Sequence, residues 1–139
     1  MRPHQPDGID DRVLPLVNEL NLFPGVRTFA SCGGHKNVRV RGYRTRRASA
    51  PVGQVRYPHF YVSFVIDPSP EAGWSLRLIS WAAYEASMLA NIRYGAFVSM
   101  WAPSPSPDEP PRFDLYGKID VSLVLKTLRQ AREEYLAGG

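Results

Sequence analysis

Residues 57 to 66, YPHFYVSFVI, limit the fold more than any other stretch of this chain. Phe60, Val62, Phe64 and Ile66 alternate with His59, Tyr61, Ser63 and Val65, a period of two that suits a half-buried β-strand and no helix. Pro68 and Pro70 end the run, because proline brings no amide hydrogen to a sheet ladder. A strand with one apolar face needs a layer to cover it, and the following segment supplies one. Over residues 71 to 92, Leu78, Ile79, Ala82, Ala86 and Leu89 fall on one side of a helix. Trp74, Trp81 and Met88 are expected to widen that stripe.

The rest of the chain repeats these two patterns. Val13, Leu16, Val17 and Leu20 have helical spacing; Asp10 or Asp11 is placed to cap that helix, and Pro15 fits its first turn. Pro24-Gly25 stops it, and VRTFAS has strand composition. NVRVRGYR reads as a second strand with Val38 and Val40 facing inward. AFVSMW reads as a further strand, PSPSPDEPP as an exposed connection, and RFDLYGKI as an antiparallel hairpin partner. Asp120 is placed to cap a last helix carrying Val121, Val124, Leu125, Leu128 and Tyr135. The expected fold is an α+β two-layer sandwich: one mixed or mainly antiparallel sheet, with about three helices on one face. At 139 residues the chain is expected to form one domain, 1–139. Within it, 1–8 is a loose leader, 42–56 a mobile basic loop and 103–111 the proline-rich connection.

Charge is unevenly placed. No acidic residue occurs between Glu19 and Asp67, whereas that interval holds Arg27, Lys36, Arg39, Arg41, Arg44, Arg46, Arg47 and Arg56. A field of one sign concentrates anions; the same arginines would also serve to pair with carboxylates from the second half. The apolar runs are broken before membrane-spanning length, so no membrane partner is expected. One cysteine and no signal-like segment point to a cytoplasmic setting. Three tryptophans and the proline-rich projection are compatible with a homo-oligomer.

Ser31-Cys32-Gly33-Gly34-His35-Lys36 is the candidate site. Paired glycines allow consecutive amides to converge on an anion. Ser31 and Lys36 add donors, and His35 could donate to a phosphate or a base edge. Arg39, Arg41, Arg44, Arg46 and Arg47 offer forks that fit phosphate oxygens, while Tyr57, His59 and Tyr61 are placed to meet a base or sugar. The expected ligand is an anionic small molecule of nucleotide type, with RNA as the alternative; no cofactor is implied. Three other readings stay open. Cys32 and His35 have the residue types of a nucleophile–base pair, with Asp67 or Asp114 as a third group supplied in space. Cys-x-x-His is also a zinc-ligand spacing, with His59 as a third ligand, but the local positive charge opposes a cation and no metal is expected. The plainest reading is a strand-to-strand turn with a buried cysteine.

Ala30 to His35 resembles the Ser-Ser-Cys-Ser-Gly-Arg signature of the wybutosine-synthesis tRNA methyltransferases. Ser31, Cys32 and Gly34 match it, and Ala30, Gly33 and His35 depart from it. Residues 14 to 35 also look like small bacterial and phage proteins with a Ser-Cys-x-Gly-His loop after a Pro-Gly turn. What the resemblance implies is a loop used for a nucleotide-type or RNA-type ligand.

Overall fold

The structure, a computed structural model, describes residues 11–33, 35–38, 55–57, 59–101 and 106–136, with backbone alone at 35–38 and 55–57. Its elements run α1 (Leu14–Leu20), β1 (Val26–Cys32), β2 (His35–Val38), β3 (Val55–Tyr57), β4 (Phe60–Ile66), α2 (Pro70–Ala90), β5 (Ala96–Trp101), β6 (Arg112–Gly117) and α3 (Val121–Tyr135). The expected α+β sandwich is present. Four strands form an open, wholly antiparallel sheet in the order β1-β4-β6-β5. Two hairpins, β1/β4 and β5/β6, thus meet through their second strands.

Alternation decides what faces the helices. Phe60, Val62 and Phe64 of β4, with Phe113 and Leu115 of β6, are buried with Leu16, Leu20, Ile79, Ala82, Val124 and Leu128 from the three helices. The Phe64 and Phe113 rings stack with centroids 5.6 Å apart. Each large apolar side chain removed from water contributes about 1.5–3 kcal/mol, so this single cluster carries the fold.

Local chemistry places the helices. Ser69 caps α2 by accepting the Ala72 amide, and Pro70 begins the helix where no donor is needed. Asp120 caps α3 as expected, accepting from the Ser122 amide and hydroxyl at 2.9 Å each. The expected aspartate cap on α1 is not formed: Val13 stands at the cap position without a side-chain bond, and Pro15 lies in the first turn. Glu19 of α1 is buried and paired with Arg132 and Arg129 of α3, tying the two helices together. Pro24 and Gly25 lock the α1–β1 turn onto α2. Ser75 donates to the Pro24 carbonyl at 2.8 Å, and the Asp67 amide to that of Gly25 at 2.8 Å.

Three sequence readings need correction. The strand over 57–66 is broken: Tyr57 ends β3, His59 lies in neither strand, and β4 starts at Phe60. Leu89, Met88 and Trp74 are exposed (58%, 61% and 42%), because the sheet and α3 cover less of α2 than its apolar content would fill. Residues 55 and 56 belong to β3 and not to the basic loop. The leader at 1–8 and the greater part of the basic loop lie outside the described residues. No helix among the described residues is long and apolar enough to cross a membrane.

Candidate functional site

Among the described residues, all three helices cover one face of the sheet and the other face is open. Register lists its occupants, since residues paired across antiparallel strands point to the same side. One row crosses all four strands as Cys32, Tyr61, Tyr116 and Phe97. The next runs Ala30, Ser63, Asp114 and Ser99, and a third holds Arg27, Val65, Arg112 and Trp101.

The rings are in contact. Tyr61 and Tyr116 have centroids 6.1 Å apart, and Tyr116 stacks on Phe97 at 5.5 Å. At the opposite corner the Arg112 guanidinium lies 4.8 Å from the Trp101 ring centroid and 5.3 Å from that of Phe29. Phe29 reaches this position because β1 bulges between Thr28 and Ala30, and a bulge re-aims a side chain. Phe29 and Trp101 are each 49% exposed and Phe97 is 41% exposed. Planar apolar surface with a fixed cation is therefore offered to solvent. Between the two ring clusters, Ser63 donates to Asp114 Oδ1, leaving a carboxylate at the centre as an acceptor.

The Cys-Gly-Gly-His stretch lies at one end of this face. Cys32 pairs with Tyr61, and beyond the glycines His35 pairs with Tyr57. Pairing thus resumes in the same order, so β2/β3 continues the β1/β4 hairpin as a second ribbon. Gly33 sits at the junction, opposite the break at His59. The basic run from Arg39 to Arg47 is joined to the end of this ribbon by the chain itself.

The sequence-derived candidates divide accordingly. Cys32 and Tyr61 share the open face. Ser31 pairs with the buried Val62 and so belongs to the helix side of β1. His59 lies beside the junction, partly exposed. Backbone alone places His35, Lys36 and Tyr57 in the ribbon, and Gly34, Arg39, Arg41, Arg44, Arg46 and Arg47 lie outside the described residues. Arg27 shows the alternative fate of the early arginines, pairing with Asp67 at 3.6 Å. Among the described residues no three His, Cys, Asp or Glu side chains gather as metal ligands. Sequence reasoning missed Phe29, Phe97, Trp101, Arg112 and Tyr116 as site residues, and named Asp114 only as a third group for Cys32 and His35. The signal for Arg112 and Tyr116 was present, since they alternate, with Asp114, against the buried Phe113, Leu115 and Gly117.

Comparison with protein-family models, curated proteins and solved structures finds no match to this chain. The open face of the four-stranded sheet carries aromatic rings, the arginines Arg27 and Arg112, and the Asp114 carboxylate.

Proposed function

We propose that this protein binds a ligand made of phosphorylated nucleobase units across the open face of its sheet. Bases would stack on the rings, and the basic hairpin would attract the phosphates. The observation that carries this reading is Arg112 held between Phe29 and Trp101 on a face that no described helix covers. Base–aromatic stacking contributes about 1–3 kcal/mol per base and tolerates any base, because every base has a π-face. Asp114, bonded to Ser63, is placed to accept from an exocyclic amine or a ribose hydroxyl, and it keeps phosphate away from the centre of the face. The Gly33-Gly34 junction, with Lys36 and the following arginines, adds amides and charge for phosphate at the edge, as the sequence suggests.

The same chemistry is present in a free nucleotide and in single-stranded RNA. Rings distributed over four strands offer a platform wider than one base, which favours the RNA strand. The test is titration with a panel of mono- and cyclic nucleotides and with short single-stranded RNA at low and high salt. RNA binding is expected to weaken with a logarithmic slope of about −0.7 per phosphate neutralised. Trp101→Ala and Arg112→Ala should each weaken binding about 5- to 150-fold. Tight binding of a mononucleotide with no gain from chain length would assign the free nucleotide as ligand. No binding or thermal stabilisation by any member of the panel would overturn the proposal.

A further inference from the structure

The two edges of the sheet are finished differently. At β1 the outward Thr28 amide is bonded to Asn21 Oδ1 at 3.1 Å, while Asn21 Nδ2 donates to Thr28 Oγ1 at 2.9 Å. The bulge beside Thr28 further distorts that edge, and both devices block strand addition. At β5 only the first position is closed: Ser87 Oγ accepts the Ala96 amide at 2.9 Å and approaches the Ala96 carbonyl at 3.0 Å. Since Ala96 thus points away from β6, alternation turns Val98 and Met100 outward as well. Among the described residues their amides and carbonyls meet no partner. The strand, AFVSMW, carries no charge and no proline, the usual guards of an exposed edge.

The geometry points to a two-fold homodimer in which β5 pairs antiparallel with β5 of a second copy. One register uses every open position. Centred on Ser99, it sets Val98 opposite Met100 of the second copy at both ends, giving two pairs that each exchange two hydrogen bonds. Shifting it by one pair would bring Met100 against Ala96, which Ser87 already occupies. In the Ser99 register Phe97 faces Trp101 of the other copy on the open side, an aromatic cross-strand pair, and the two open faces join into one sheet of eight strands.

The surroundings fit a second copy. A groove of about 750 Å³ lies between α2 and β5, lined by Tyr84, Met88, Ile92, Tyr94 and Phe97 among others. A two-fold axis perpendicular to the sheet keeps both α2 helices on the same side, so these grooves face each other. Tyr84, Met88, Ile92, Tyr94, Met100 and Trp101 are 40–67% exposed. With roughly 175 Å² for a large side chain, they offer about 600 Å² per copy. Two copies would then bury about 1,200 Å², the lower bound of a stable interface.

The test is sedimentation of the full chain over a wide concentration range, combined with cross-linking. The expected result is a monomer–dimer equilibrium that Met100→Pro weakens by about tenfold or more. That substitution removes only an outward amide, so the β6 ladder survives; Met100→Lys, at a 67% exposed position, serves if the proline variant misfolds. In a Cys32→Ser background, Ser99→Cys should give a disulfide-linked dimer under mild oxidation, because a non-hydrogen-bonded pair holds its Cα atoms about 4.5 Å apart. A chain monomeric to millimolar concentration would overturn the inference. So would a dimer that ignores both Met100 variants and fails to cross-link at position 99.

Discussion

Gly25→Ala should destabilise the protein by about 3 kcal/mol through two separable effects. Gly25 has φ +78°, and a Cβ built there would lie 2.6 Å from the Ala72 Cβ. The left-handed backbone costs an alanine about 1–2 kcal/mol, and overpacking against the first turn of α2 costs about 1–3 kcal/mol. The less flexible unfolded chain returns about 0.4–1 kcal/mol. For a chain of this size the net loss lowers Tm by roughly 10 °C. Equilibrium denaturation of Gly25→Ala, Ala72→Gly and the double variant separates the two effects. Removing the Ala72 Cβ should recover at least about 1 kcal/mol in the Gly25→Ala background and leave the backbone penalty in place. Strict additivity, or a loss below about 1 kcal/mol for Gly25→Ala, would refute the close approach of this turn to α2.

Removing Glu19 as Glu19→Ala should lower stability by about 1–3 kcal/mol, below the loss for a fully buried pair, because Arg129 and Arg132 (side chains 56% and 27% exposed) can turn to water; denaturant titration checks it. The Ser122 amide, and then its hydroxyl, hold the Asp120 carboxyl below its ordinary value of 3.8. Its contribution is therefore complete above that value and disappears as pH falls through the lower folded one. Asp120→Asn keeps the cap and removes this dependence, so wild type should lose stability relative to it below about pH 4. Cys32→Ser should bind nucleotide ligands within about threefold of wild type if the face acts by stacking, whereas loss of a catalysed turnover in that variant would indicate a thiolate nucleophile.

Most of the fold was legible because burial imposes periodicity. Phe60, Val62 and Phe64 announced β4, Leu78, Ile79 and Ala82 announced α2, and Asp120 marked the start of α3. The alternation of Tyr61 and Ser63 showed that these residues share a face, but not that no helix covers it. That depends on all three helices choosing the same side, a tertiary outcome. In the sequence the junction at Gly33 reads as an anion loop or a strand-to-strand turn, because paired glycines serve turns and ribbon breaks equally well. The exposure of Met88 and Leu89 was hidden because apolar spacing on a helix looks the same whether it meets a core or an open groove. Phe29 joined the site through a bulge, which leaves no periodic trace.

The most direct test of the account is backbone-amide NMR of the labelled protein titrated with short single-stranded RNA at low salt. Saturable shifts concentrated at Phe29, Tyr61, Phe97, Trp101 and the Arg112–Tyr116 stretch, reaching into the basic ribbon, are predicted. Shifts confined to the outer surfaces of α2 and α3, or none at all, would contradict binding on the open face.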